Sequence, residues 1–305
     1  MTAPALPGSY GEAPSAYRLP PATRLGPVRL QIADLGRSLE YYERVLGLRV
    51  VERGERRALL GAHGDVRALL ELREWHRARP MAQRGRLGLY HYAILLPDRA
   101  ALGRFVRHLA ELGVQPGAGD HLVSEAIYLR DPDGLGIEVY ADRPRETWQR
   151  VGREVAMATD PLDVDDLIRA AGDARWDGMP AGTVIGHVHL HVGSIAEARA
   201  FYSEALGFDV MTASYPGALF LGAGGYHHHL GTNTWAGSGA VRAGEADARL
   251  LEWTIELPAA PDVAAAATNL EAAGYRVERI EDGAGAAAVT RDPWGTPLRL
   301  VAAAA

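Results

Sequence analysis

The chain has 305 residues, of which 48% are apolar and 23% are charged, and its 32 basic and 38 acidic side chains give a formal net charge of -6. This balance is typical of a globular protein large enough for about two domains. Because there is no cysteine, disulfide frameworks, thiolate metal sites and cysteine catalysis are excluded, and any metal must be bound by His and carboxylate side chains.

The same composition bears on partners and location. A mildly acidic chain without a dense basic stripe predicts no nucleic-acid partner, because binding phosphates needs clustered positive charge. No apolar run approaches the roughly 18–20 residues of a membrane span, and residues 1–25 lack the features of an export signal. We therefore expect no membrane association and a cytoplasmic location, while the sequence leaves a homo-oligomer open.

In chain order, residues 1–25 are rich in Pro, Ala and Gly without apolar periodicity, which predicts an extended arm outside the fold. Internal repeats follow. Residues 26–42 (GPVRLQIADLGRSLEYY) align with residues 186–202 (GHVHLHVGSIAEARAFY), and residues 89–98 (LYHYAILLPD) align with residues 250–259 (LLEWTIELPA). The chain therefore contains four short repeats, which we call modules one to four.

Each module has the same predicted order of elements: an alternating strand, a helix of about three turns, then two or three strands separated by Gly-rich turns. Modules one and two occupy residues 26–142, and modules three and four occupy residues 184–302. Between them, residues 143–183 form a connector with a short helix predicted over residues 160–171. Four βαβββ modules predict an α+β fold with two curved, cup-like mixed sheets and the helices outside.

These repeats resemble the vicinal oxygen chelate superfamily, which includes glyoxalases, bleomycin resistance proteins and dioxygenases. The segments GHVHLHVGSIAEARAFYSEALGF, GGYHHHLGTNTW and DHLVSEAIYLRDPDGLGIEVYADRP are similar to those of extradiol dioxygenases of the catechol 2,3-dioxygenase type. The resemblance implies Fe(II), with Mn(II) as the alternative, bound in one cup. It also implies an aromatic diol and dioxygen as substrates.

In that superfamily a metal-binding His lies on the first strand of a module, and the last strand of the partner module supplies a Glu. The first-strand position is His187 in module three and Pro27 in module one. It is His91 in module two and Glu252 in module four, and the last-strand position is Glu138 in module two and Arg299 in module four. One complete site, His91, Glu138 and His187, is therefore predicted only if modules two and three share a cup. The alternative for each residue is a structural role at the edge of the core.

The resemblance also implies catalytic side chains. A strand is predicted over residues 227–234, and its His227, His228 and His229 lie where extradiol enzymes place an acid/base His. Alignment favours His228, a bulge would favour a neighbour, and an adventitious metal patch is the alternative to a catalytic role. Tyr128 matches the family tyrosine that donates a hydrogen bond to a substrate oxygen, and His121 matches a His that lines the same cup.

Further side chains are expected near the cup. By strand alternation, His189 and His191 share the face of His187 and are candidates to orient a ligand. Phe220, Trp235 and Trp253 are candidate apolar walls, although core packing would explain them equally well.

Two alternative functions remain open within the same superfamily. One is a glyoxalase-like isomerase or a thiol transferase, which commonly uses a fourth ligand, often a second Glu. The other is a sequestering protein of the bleomycin-resistance kind. The predicted strand of residues 227–234 offers His instead of Glu, and the complementary set of ligands is retained. Both observations favour the dioxygenase.

Overall fold

The structure is a computed structural model that describes residues 11–82, 84–282 and 285–303. It confirms the α+β fold of four βαβββ modules, two curved mixed sheets and helices on the outside. The elements of the first half are β1 (Arg24–Ile32), α1 (Leu35–Arg44), β2 (Arg49–Arg53), β3 (Arg57–Gly61), β4 (Ala68–Glu74), β5 (Arg86–Leu95), α2 (Arg99–Glu111), β6 (Gly117–Asp120), β7 (Ser124–Arg130) and β8 (Gly136–Asp142).

The connector contains a 3-10 turn and three short elements, and the second half repeats the plan of the first. The connector elements are β9 (Arg150–Val151), β10 (Glu154–Val155) and α3 (Val164–Ala170). Those of the second half are β11 (Val184–His191), α4 (Ile195–Ala198), β12 (Asp209–Thr212), β13 (Ala218–Gly222), β14 (Leu230–Asn233), β15 (Val241–Arg242), β16 (Arg249–Leu257), α5 (Ala260–Ala272), β17 (Val277–Asp282), β18 (Gly285–Arg291) and β19 (Pro297–Ala302). A π-helical segment, Arg199–Ala205, continues α4.

Each sheet combines one module from each half of the chain. The larger sheet has the strand order β12-β13-β14-β11-β5-β8-β7-β6, with β15 as a ninth strand paired to β5, and it joins modules three and two. The other has the order β17-β18-β19-β16-β1-β4-β3-β2, which joins modules four and one. Modules two and three therefore share a sheet, as the complementary residues predict. At the centre of that sheet, β5 pairs antiparallel with β11 and parallel with β8.

Short polar side chains start four of the helices. Asp34, Asp98, Asp163 and Ser194 each accept a backbone N–H from the first turn of α1, α2, α3 and α4, respectively. Such a cap satisfies one of the N–H groups that a helix start leaves unpaired. For α1, α2 and α4, which follow the first strands of their modules, the caps fix where the helix begins after the strand.

A repeated hydrogen bond links the helices of modules one and three to a turn of the other sheet. The Tyr42 hydroxyl, in module one, donates to Asp131 at 3.1 Å, and Asp131 begins the turn before β8. Its repeat partner, the Tyr202 hydroxyl in module three, donates to Asp292 at 2.9 Å, before β19. All four side chains are buried. The two halves of the chain therefore use the same contact to hold neighbouring sheets together.

The arm differs from its prediction. Residues 1–10 lie outside the described residues, but residues 11–23 pack on module three and are part of the fold. Arg18 forms an ion pair with Asp209 at 2.6 Å, Leu19 is 2% exposed, and Glu12 forms a β-bridge with Val210. The prediction was wrong because an irregular segment can be ordered by partners that local periodicity does not reveal.

No helix among the described residues has the length and apolar character needed to cross a bilayer.

Candidate active site

Three buried side chains meet on neighbouring strands at the centre of the larger sheet. His91 lies on β5, Glu138 on β8 and His187 on β11. Glu138 Oε2 is 3.0 Å from His91 Nε2 and 3.2 Å from His187 Nε2. Across the part of the chain that the structure describes, this is the only group of three or more His or carboxylate side chains close enough to share a metal ion.

Strand register brings these residues together. Ala93 of β5 pairs with both Glu138 and His187, and His91 lies two residues before Ala93, on the same strand. In the pairing of β11 with β5, the residues on either side of Gly186 have partners but Gly186 does not. Gly186 therefore forms a bulge just before His187. A Cβ at Gly186 would lie 1.8 Å from the Tyr140 hydroxyl, so only glycine allows this close approach.

The protonation states of His91 and Glu138 suit a divalent cation. Burial lowers the pKa of His91, although Glu138 opposes the shift, so the imidazole is neutral near pH 7. Burial would raise the pKa of Glu138, but His187 and His91 hold it well below its usual range. Although His91 Nε2 lies 3.0 Å from Glu138 Oε2, the contact does not have the geometry of a hydrogen bond, so this buried nitrogen has no hydrogen-bond partner among the described residues. Two imidazoles and one carboxylate with an unpaired ring nitrogen fit a metal ion.

A cavity of about 300 Å³ opens over these residues. All six predicted site residues line it: His91, His121, Tyr128, Glu138, His187 and His228. Phe220 and Trp235 line it as predicted. Trp253 does not, because it lies on β16 in the other sheet and is fully buried in its core. The prediction for Trp253 was wrong because alternation shows which face of a strand is buried, but not which sheet contains the strand.

Tyr128 and His121 form a hydrogen-bonded pair beside Glu138. Tyr128 is directly opposite Glu138 in the β7–β8 pairing, and its hydroxyl is 2.5 Å from His121 Nε2. The Ala158 carbonyl, which can only accept, is 2.7 Å from His121 Nδ1, so Nδ1 donates to this carbonyl and Nε2 is the atom that can accept from Tyr128. Burial and then Glu138 raise the pKa of Tyr128 well above its usual value, which keeps the phenol protonated.

The three consecutive histidines do not lie on a strand, contrary to the prediction, because β14 begins only at Leu230. They occupy the turn after β13, and the three rings have different surroundings. The His228 ring borders the cavity, 4.1 Å from the His187 ring, and Phe220 packs against it. His229 packs on Phe208 and accepts the Ala223 N–H. The turn therefore separates the histidines, and His228 is the one that faces the cavity.

Comparisons with known proteins agree with this fold. The model of the Glyoxalase/Bleomycin resistance protein/Dioxygenase superfamily matches residues 24–139 and 184–300. The chain belongs to this superfamily. A catechol-2,3-dioxygenase of Bacillus subtilis (strain 168) is 47% identical over 264 residues, which are 85% of this chain and 92% of the relative.

Two solved structures share the superfamily fold. One is a Bacillus subtilis (subsp. subtilis str. 168) protein described as a candidate dioxygenase, with a TM-score of 0.63, 13% identity, and coverage of 94% of this chain and 86% of that chain. The other is glyoxalase I from Zea mays, with a TM-score of 0.55, 17% identity and coverage of 92% of both chains. At these identities the likeness establishes the fold alone.

The equivalent position in the other sheet contains ion pairs. Glu252 Oε1 accepts from Arg299 Nε at 2.8 Å and from Arg29 Nη1 at 3.0 Å. Arg29 Nε also donates to Glu71 at 2.8 Å. Pro27, which occupies the position of His187, has no side-chain donor atom. The cup of modules one and four therefore lacks the candidate ligand set, and its charged side chains form ion pairs with one another instead.

Two further contributions to the cavity were not predicted. Met157, Ala158 and Thr159 of the connector line it, although sequence analysis gave this segment no role. Ala158 acts through its backbone carbonyl, which has no signature in the sequence. Tyr90 also lines the cavity, next to His91. In the pairing of β5 with β11, the residues on either side of Tyr90 have partners but Tyr90 does not, so β5 forms a bulge at this position.

His189 and His191, which were expected to share the face of His187, both contact the side-chain amide of Asn233. Asn233 Nδ2 is 2.9 Å from His189 Nε2, and Asn233 Oδ1 is 2.6 Å from His191 Nδ1. Burial lowers the pKa of both rings, so both are neutral near pH 7. His189 lines the cavity beside His91, whereas His191 contacts Tyr90.

Proposed function

We propose that this chain is an extradiol dioxygenase that cleaves a catechol-type aromatic diol with dioxygen at one metal ion, held by His91, Glu138 and His187. The identity of 47% to a catechol-2,3-dioxygenase, over most of both chains, is the observation that carries the activity. The buried ligand set supports the site. Two His and one carboxylate are typical of non-haem Fe(II) oxygenases, so Fe(II) is the proposed ion and Mn(II) the alternative.

When bound, the ion supplies the redox and Lewis-acid chemistry that joins the diol to dioxygen. The protein positions the ring, moves protons and excludes water. Phe220 and Trp235 give the cavity apolar walls against which an aromatic ring can pack. His228, a buried and neutral imidazole, accepts a proton from a diol hydroxyl.

Tyr128 has the complementary role of a donor. Its phenol remains protonated near pH 7, so it can donate a hydrogen bond to a substrate oxygen. His121 accepts from Tyr128 in the absence of substrate and positions the hydroxyl. Because the Ala158 carbonyl holds the His121 ring, the connector helps to position the Tyr128 hydroxyl.

Oxygen uptake and isotope incorporation test the reaction. Protein without an affinity tag, prepared anaerobically with Fe(II) or with Mn(II), would be mixed with catechol and ¹⁸O₂. We expect one dioxygen consumed for each ring opened, and a coloured semialdehyde acid that contains both labelled atoms. No uptake with catechol or with any of several substituted catechols would overturn the assignment. Isomerisation of a glutathione hemithioacetal by the same preparation would replace it with the glyoxalase-like reaction.

A further inference from the structure

A chain of hydrogen bonds leads from the cavity to the protein surface. His228 Nδ1 is 2.7 Å from His227 Nδ1, and His227 Nε2 is 2.8 Å from Asp142 Oδ1. The His227 side chain is completely buried, whereas that of Asp142 is 26% exposed. A surface carboxylate therefore contacts the candidate acid/base residue through one buried imidazole.

The direction of each hydrogen bond follows from its acceptor. The Asp142 carboxylate can only accept, so His227 donates from Nε2. When His227 carries only that ring proton, its Nδ1 is an acceptor, so His228 donates from Nδ1. This leaves His228 Nε2 without a proton. No described residue hydrogen-bonds to Nε2, and the His228 ring borders the cavity, so this atom is free to accept a substrate proton.

Packing holds this chain in place. The His227 ring lies against Trp148, at a centroid distance of 5.1 Å, and against Tyr226, at 4.2 Å. The Tyr226 hydroxyl donates to the same Asp142 oxygen at 3.3 Å and is 2.7 Å from the Tyr140 hydroxyl. Asp142 lies on β8, four residues after Glu138 and on the same face. One strand thus carries both a candidate metal ligand and the anchor of the hydrogen-bond chain.

The geometry points to His227 and Asp142 as positioning residues that hold His228 in the Nδ1–H tautomer, with Nε2 available to the substrate. This inference rests on the proposed function of His228. Neither positioning residue exchanges a proton in the step. When His228 Nε2 takes the diol proton, Nδ1–H still donates to His227 and His227 Nε2–H still donates to Asp142. The carboxylate then stabilises the imidazolium through the intervening ring.

Substitutions of His227 separate its hydrogen bond from its bulk. His227→Phe keeps an aromatic ring but removes the acceptor, so we expect kcat to fall by about 10- to 100-fold with little change in KM. His227→Asn places an amide oxygen near the position of Nδ1 and should restore most of kcat. The matched control is His229→Asn in the same turn, because His229 faces away from the cavity and should leave kcat unchanged. Equal kcat in the Phe and Asn variants of His227 would overturn the inference.

A spectroscopic readout is independent of activity. In full-length protein with ¹⁵N-labelled histidine and Zn(II) in place of a paramagnetic ion, NMR distinguishes protonated from unprotonated ring nitrogens. His228→Ala identifies the signals of His228. We expect wild-type His228 to carry its proton on Nδ1, and His227→Phe to populate the Nε2–H form. A proton on Nε2 of wild-type His228 would overturn the inference.

The two measurements also separate this inference from the proposed function. If wild-type protein opens no catechol ring, the proposed function fails, and the tautomer measurement still decides the arrangement of His227 and Asp142.

Discussion

Burial sets the protonation state of the side chains that meet in the cavity. His91, His189 and His228 have lowered pKa values because the surrounding protein disfavours their charged forms. Tyr128 has a raised pKa for the same reason. Near pH 7 the cavity therefore contains neutral imidazoles and a protonated phenol. Each is the form required for its proposed role as ligand, proton acceptor or hydrogen-bond donor.

Two substitutions separate proton transfer from metal binding. His228→Ala should lower kcat by about 10²- to 10⁴-fold, the usual contribution of a general acid/base, with unchanged metal content. Tyr128→Phe should also keep the metal and lose less rate, because it removes one hydrogen bond. Steady-state kinetics with catechol, beside metal analysis of each sample, checks both. Loss of metal in either variant would show that the residue supports the ligands.

His229 predicts a specific pH dependence of stability. Burial lowers its pKa from 6.5 to about 3 in the folded protein. As pH falls below 6.5, the unfolded chain takes up a proton that the folded chain does not, so stability present above pH 6.5 is lost on acidification. Between pH 6.5 and 5 this one group should account for about 2 kcal/mol. Urea unfolding at both pH values should show a smaller loss of unfolding free energy for His229→Asn than for wild type. Equal losses would contradict a lowered pKa of His229 in the folded protein.

At the scale of elements, the repeats predicted most of the strands and the residues they bring together. Alternation placed Val188, Leu190 and Val192 on one face of the predicted strand and His187 on the opposite face. Repeat alignment then showed that modules two and three each hold part of one ligand set. This reasoning works because a strand fixes its side-chain directions, and a repeat transfers them from one module to another.

Segments without periodicity were not predictable in this way. The turn of residues 227–229 was predicted as strand, and the arm and connector were given no place in the fold. Their positions depend on long-range contacts, such as Arg18 with Asp209 and the Ala158 carbonyl with His121. The hydrogen bond from His227 to Asp142 joins residues 85 positions apart, so no local pattern could indicate it.

The bulge at Gly186 yields a prediction for β11. An alanine Cβ would collide with the Tyr140 hydroxyl, which is held by Tyr226, so Gly186→Ala should destabilise the protein by about 1–3 kcal/mol. The repeat offers a matched control in Gly26→Ala, where the closest atoms lie at 3.0 Å on the side chains of Glu256 and Thr254 and can move. Urea unfolding of both variants checks this, and equal destabilisation would show that the bulge is not the cause.

In the molecule as a whole, the pairing of modules explains why the described residues contain one candidate site. Module two supplies His91 and Glu138, and module three, nearly fifty residues further along, supplies His187. The other pairing joins modules one and four, where Glu252 forms ion pairs with both Arg29 and Arg299. Of the two similar sheets, the one that joins modules two and three therefore carries the candidate site.

The charge of the cavity predicts substrate preference. The chain has no lysine, and no arginine is among the described residues that line the cavity. A carboxylate on the substrate ring would lose water without gaining a cationic partner, so 3,4-dihydroxybenzoate should have a kcat/KM at least about tenfold below that of 4-methylcatechol. Oxygen uptake with both compounds checks this. A preference for the acid would contradict the description of the cavity.

A measurement of metal content directly tests whether His91, Glu138 and His187 bind a metal ion. Wild-type protein without an affinity tag, supplied with Fe(II) or Mn(II) and dialysed, should retain one ion per chain by inductively coupled plasma mass spectrometry. His91→Ala, Glu138→Ala and His187→Ala should each abolish retention, because three ligands leave little redundancy. Glu252→Ala and Arg299→Ala, at the equivalent positions of the other sheet, should retain the ion. Full retention by the three ligand variants, or equal loss in all five, would contradict a metal centre at His91, Glu138 and His187.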